Sequence, residues 1–148
     1  MRNRMIPITG LLTLLVLILA ACGGSASPAP AAAPNQGLPY LSMNLAGYMD
    51  LSVEHLDQSM ASKSFTLVNV HVPDQGSLPN TDLSIPFDQI TDNLDKLPAK
   101  DAPIVLYCRS GSMSTQAATA LVAAGYTQVY ELDGGFNAWQ AAGHDLVK

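Results

Sequence analysis

The run Ile104-Val105-Leu106-Tyr107 ends at Cys108 and passes through Arg109-Ser110-Gly111-Ser112-Met113 into an alanine-rich stretch from Ser114 to Ala124. A short apolar run closed by a Gly/Ser turn predicts a buried strand. The stretch that follows carries Ala117, Leu121 and Ala124 on one stripe and Gly125 at the C′ position, which predicts a helix. A strand of this kind must be covered on both faces, and that requirement limits the folds open to the chain. The same alternation recurs elsewhere. Phe65 to Val70 and Thr127 to Leu132 predict two further strands, and Tyr48-Met49 a short edge strand. Ser52 to Ala61 predicts a helix, with Ser52 as N-cap, Glu54 in the first turn and Val53, Leu56 and Met60 at helical spacing. Phe87, Ile90, Leu94 and Leu97 mark a short helix after Pro86 that Pro98 closes, and Phe136 to Ala142 a last one ended by Gly143. His71 to Leu83 is rich in turn residues and predicts a surface loop, and Gly134-Gly135 a turn. Strands alternating with helices predict an α/β domain with a central, mostly parallel sheet and helices on both faces.

The chemistry is expected at Cys108. A cysteine delivered to the end of a strand, just before a helix begins, faces backbone N–H groups without intrahelical partners and the positive end of the helix dipole. Both favour the thiolate, the nucleophilic form, over a thiol whose ordinary pKa is about 8.5. The sequence taken alone also fits a buried, inert cysteine. Against that, Arg109, Ser110, Gly111, Ser112, Met113 and Ser114 are poor core formers that can curl their N–H groups round the sulfur. A phosphatase loop needs an Arg six residues after the Cys to clamp a phosphoryl group, and that position is Ser114.

Composition bears on location. The chain is 48% hydrophobic and only 13% charged, but part of its apolar content lies in Ile6 to Ala21, preceded by Arg2 and Arg4. That is the layout of a cleaved leader, and the apolar run falls short of the ~20 residues that span a bilayer. Leu19-Ala20-Ala21-Cys22 resembles the lipobox of bacterial lipoproteins. The resemblance implies cleavage before Cys22, a thioether-linked diacylglycerol on it, and an extracytoplasmic domain anchored to the cell membrane or outer membrane. The expected organisation is a leader over residues 1–21, a lipidated Cys22 with a Pro/Ala-rich linker to Pro39, and one folded domain over 40–148. Without residues 1–21 the chain keeps five Lys and Arg against twelve Asp and Glu. No basic cluster is left to neutralise phosphates, so no nucleic-acid partner is expected. Lipidation of Cys22 leaves Cys108 without an intramolecular disulfide partner.

The loop Tyr107-Cys108-Arg109-Ser110-Gly111-Ser112-Met113-Ser114, with Gly134-Gly135-Phe136-Asn137-Ala138-Trp139 and Gly143 downstream, resembles the rhodanese-like sulfurtransferase family. Ser52 to Leu56 and Phe65 to Val70 match the family's opening helix and first core strand, so the resemblance spans residues 48–147. It implies that Cys108 takes a sulfane sulfur from a small anionic donor such as thiosulfate, holds it as a persulfide and passes it to a thiophilic acceptor, cyanide or a thiol. Residues 109–114 would bind the substrate anion, no cofactor or metal is called for, and the protein is expected to be a monomer. The runner-up is a rhodanese-fold binding module or a redox-sensing thiol.

The chain departs from the family at three places. Met113 stands where members that handle thiosulfate well carry a basic residue. Asn69-Val70-His71 replaces Asp-Val-Arg. Gly76-Ser77-Leu78-Pro79-Asn80-Thr81 replaces Gly-His-Ile-Pro-Gly-Ala. His71 is expected as an anion contact at the mouth of the site or as a partly solvated strand-end histidine, and Asp133 as a residue shaping the Gly-Gly turn. His55 and His144 are expected at the surface, and Trp139 in the core.

Overall fold

The structure, a computed structural model, describes residues 37–148. The leader segment, Cys22 and most of the linker lie outside these residues. Five strands, β1 (Met49–Leu51), β2 (Thr66–Asn69), β3 (Leu83–Ser84), β4 (Ile104–Tyr107) and β5 (Val129–Leu132), form one sheet in the order β1-β5-β4-β2-β3. Every pairing in it is parallel. Helices α1 (Val53–Met60), α2 (Ser112–Ala123) and α3 (Gly135–Ala141) and a 3₁₀ segment (Phe87–Lys96) supply the crossovers and the cover.

Side-chain alternation along the central strands divides the core into two layers. Ile104 and Leu106 of β4, Val68 of β2 and Val129 of β5 pack with Ala117 and Leu121 of α2 and Ile90 and Leu97 from the 3₁₀ side. Val105, Tyr107, Leu67, Tyr130 and Leu132 face the other way, onto Leu56 of α1 and Phe136 and Trp139 of α3. All four side chains of β4 are buried, as a strand in the middle of a covered parallel sheet requires. Cys108 continues the even-numbered series and so emerges on the α2 face.

Several boundaries differ from those expected. The edge strand is Met49–Leu51, one residue later than Tyr48-Met49, because Met49 to Leu51 align with Tyr130 to Leu132. Leu83, the expected end of the 71–83 loop, begins β3, a two-residue strand held only by its register with Val68 and Asn69. The helix expected after Pro86 is 3₁₀ with non-helical geometry at Asn93, which suits a sequence whose apolar pairs Phe87/Ile90 and Leu94/Leu97 are three apart. Leu38 is already buried against the α1/α3 layer, so packing begins two residues ahead of Tyr40. Helix α2 starts at Ser112, two residues before Ser114, with Gly111 as its N-cap in a positive-φ conformation (φ 97°). Among the described residues no helix is long and apolar enough to cross a membrane.

Candidate active site

The early start of α2 builds the site. With Gly111 turned to positive φ, its N–H points back at Cys108 and donates to Sγ at 3.2 Å. The Ser114 hydroxyl lies 3.4 Å from the same sulfur. Cys108 itself is a free cysteine only 1% exposed. Burial pushes its thiol up, but the Ser114 hydroxyl and the N–H groups of Ser114, Ser110 and Met113 outweigh this and leave it below its usual value. Met113 and Ser114 belong to the first turn of α2, so these donors are the unpaired N–H groups of a helix start.

The loop is held from below by α3. The N–H of Phe136 donates to the Cys108 carbonyl at 2.9 Å and that of Asn137 to the Arg109 carbonyl at 3.0 Å. Gly134 and Gly135 both take positive φ to bring this helix start against the loop. The expected Gly-Gly turn therefore braces the Cys108 loop.

The expected site residues are distributed unevenly. Gly111 and Ser114 touch the sulfur, whereas Arg109, Ser110 and Ser112 are exposed on the rim. Met113 is half-buried and packs on the α2 core, so its side chain adds no charge to the cradle. His71 sets its ring edge-on to Phe136 at 5.3 Å, and neither of its buried ring nitrogens has a hydrogen-bond partner. His55 and His144 are half-exposed; His144 stacks on Trp139, which is buried and donates to the Asp145 carbonyl. Asn69 donates to the Gly76 carbonyl and to Ser77 Oγ, both at 3.1 Å, and accepts from the His71 N–H at 3.0 Å. This side chain ties the end of β2 to the loop that departs from the family pattern. A surface groove of about 650 Å³ between residues 74–84 and the C-terminal Val147-Lys148 shares no residue with the Cys108 loop.

One residue at the site was not anticipated. Glu131 of β5 is 3% exposed and takes a hydrogen bond from Ser114 Oγ at 2.5 Å. Burial, aided by the nearby carboxylates Asp133 and Asp50, pushes its carboxyl up to about 7 despite the Ser114 hydrogen bond. The signal was present in the sequence, since a carboxylate inside the apolar run Val129-Tyr130-Glu131-Leu132 must either be paired or stay neutral. Asp50, Glu131 and Asp133 bring one carboxylate oxygen each within 4.8 Å of one another. This oxygen-only cluster, with Glu131 engaged by Ser114, is a local excess of negative charge that favours the protonated acid. Burial and Asp50 raise Asp133 as well.

The rhodanese-like domain model matches residues 54–142, which include the Cys108 loop, Ser114, Glu131 and the Gly134-Gly135 turn. The chain belongs to the rhodanese-like domain family. A sulfurtransferase of Allochromatium vinosum is 35% identical over 102 residues, covering 66% of this chain and 94% of that protein. The thiosulfate sulfurtransferase GlpE of Shewanella oneidensis is 34% identical over 101 residues, 66% of this chain and 98% of its own. In fold, this rhodanese domain superposes on a rhodanese-related protein of Thermoplasma volcanium with a TM-score of 0.59 at 22% identity, covering 68% of this chain and 98% of the other. A rhodanese-like domain protein of Staphylococcus aureus gives 0.55 at 29% identity over 61% of this chain and 89% of that one.

Proposed function

We propose that the protein is a sulfurtransferase in which Cys108 carries the sulfur. The observation that carries this reading is the cradle: a buried sulfur that receives the Gly111 N–H and the Ser114 hydroxyl at a helix start, with its thiol below the usual value. In the first half-reaction the Cys108 thiolate attacks the outer sulfur of thiosulfate. A Cys108–sulfur bond forms, the sulfur–sulfur bond of the donor breaks, and its electron pair leaves with sulfite. In the second, cyanide or a thiolate attacks the outer sulfur of the persulfide, and the thiolate returns to Cys108 as thiocyanate or a new persulfide departs. The cycle is covalent and ping-pong, and the loop N–H groups stabilise the negative sulfur in each form. The activity of the named relatives and the family match support the same reading.

The test is direct. The full-length protein is incubated with thiosulfate, weighed intact for a one-sulfur adduct, and then given cyanide. An adduct that cyanide discharges as thiocyanate, and that Cys108→Ser abolishes, is expected. A readily alkylated Cys108 that never takes up sulfur from thiosulfate or from a low-molecular-weight persulfide would overturn the reading.

We also propose that Cys22 is lipidated and anchors the domain outside the cytoplasm; the support is Leu19-Ala20-Ala21-Cys22 behind an apolar leader. Metabolic labelling with palmitate, present in the wild type and lost in Cys22→Ser, is the expected result.

A further inference from the structure

Ser114 has one hydroxyl proton and three acceptors around it: Cys108 Sγ at 3.4 Å, the Gly111 carbonyl at 3.1 Å and Glu131 Oε1 at 2.5 Å. Two complete hydrogen-bond chains satisfy this arrangement. With a thiol and a carboxylate, S–H donates to Ser114 Oγ and Ser114 donates to Glu131. With a thiolate and a carboxylic acid, Glu131 donates to Ser114 Oγ and Ser114 donates to the sulfur. The two chains carry the same charge and differ only in the side on which the proton rests. Conversion breaks S–H and Ser114 O–H and forms a new Ser114 O–H and Glu131 O–H, so nothing is gained or lost. Glu131 never touches the sulfur.

We propose that Glu131 is a positioning residue for the nucleophile, sharing one proton with Cys108 through the Ser114 hydroxyl. This deepens the sulfurtransferase reading and rests on it for its functional meaning. Neutral Glu131 supports the thiolate through Ser114. Ionised Glu131 reverses the chain, accepts the Ser114 hydrogen bond and so keeps the proton on Cys108.

The surroundings favour this sharing. Asp50 faces Glu131 across the β1/β5 ladder, Asp133 lies two residues on, just past the end of β5, Leu106 is its uncharged partner on β4, and α2 contributes Ser114. Among the described residues no Lys, Arg or His forms an ion pair with it. Its charge is therefore opposed by burial and by two like charges, and its carboxyl stands at about 7. Two groups that interact this closely lose their protons in two steps that belong to the pair.

The experiment reads the thiol without donor or acceptor. In the full-length protein, the alkylation rate at Cys108 with neutral iodoacetamide is followed from pH 5 to 10 by peptide-level mass spectrometry. The wild type is expected to rise in two steps. Glu131→Gln, whose amide donates to Ser114 as the protonated acid does, is expected to show one step and to alkylate at least about threefold faster than wild type near pH 8. Ser114→Ala is expected to slow alkylation below pH 8 and to shrink the gain from Glu131→Gln. A merely structural role would slow the reaction at every pH. A wild-type readout needs no variant: the rate ratio of anionic iodoacetate to iodoacetamide should fall between pH 6 and 8 as the carboxylate appears.

A flat ratio, or a Glu131→Gln profile that superposes on wild type or lies uniformly below it, overturns the proposal. An undiminished gain in the Ser114→Ala background overturns the part given to Ser114. Any of these would leave sulfur uptake from thiosulfate untouched. A missing adduct beside an intact two-step profile would instead overturn the sulfurtransferase reading alone.

Discussion

Gly135 lies against the backbone of Cys108 so closely that a Cβ on it would overlap the Cys108 carbonyl oxygen and stand 2.8 Å from the carbonyl carbon of Arg109. It also holds φ at 56°, in the left-handed region. Gly135→Ala is therefore expected to cost more than about 2 kcal/mol, from backbone strain together with the overlap. Urea unfolding at neutral pH measures this. Since the loop hangs on the N–H groups of Phe136 and Asn137, the same variant should also alkylate more slowly at Cys108.

Glu131 ties stability to pH. Its carboxyl is raised from an ordinary 4.5 to about 7 in the folded protein. Between these values the native state holds a proton that the unfolded chain has released, so stability falls as pH rises. The contribution is complete below about 4.5 and gone above about 7. Its size is up to about 3 kcal/mol, from about 1.4 kcal/mol for each unit of raised pKa. Glu131→Gln should remove most of this slope, leaving the variant relatively more stable than wild type at pH 8 than at pH 5. Urea unfolding at both pH values decides it.

Met113→Arg should improve the use of thiosulfate. The Met113 side chain is half-buried on the α2 core, and Arg109, the loop's own cation, is exposed on the rim. A guanidinium at 113 would add a charge-assisted contact to an incoming dianion near the acidic cluster, worth roughly tenfold in kcat/KM. Steady-state thiocyanate formation is the measurement, and an unchanged kcat/KM would count against an anionic donor approaching over residue 113.

Asn69→Asp, which restores the family's usual residue, should destabilise this chain. Both amide donors of Asn69 are engaged, and a carboxylate would set its charge against the Gly76 carbonyl in a site 4% exposed. A cost of about 1–3 kcal/mol at pH 7 is expected from urea unfolding, partly relieved at acid pH where the carboxyl can donate again.

What could be read from the sequence was what is local. The Cys108 turn, the apolar runs on either side and Gly134-Gly135 lie within a few residues of the structure they make, and the covered parallel sheet follows from their alternation. Helix α2 was expected two residues late because Gly111 caps it by conformation and not by a side chain. Strand β3 has two residues and no pattern of its own; its register with Val68 and Asn69 creates it. Glu131 and Ser114 are 17 apart in sequence and meet because β5 lies beside β4, a neighbourhood set by sheet order. Asn69 stands out as a departure in sequence, but its two donors acquire meaning only once residues 76 and 77 fold back over it.

The cradle has a consequence for how the protein can change. The sulfur is held by the Gly111 N–H and the Ser114 hydroxyl, with Glu131 bonded to Ser114 behind them, while Arg109, Ser110 and Ser112 are exposed to solvent. What faces the sulfur and what faces solvent are thus written in separate alphabets within one hexapeptide. The three outward positions can be rewritten to admit a different visitor, and the sulfur they surround keeps its footing.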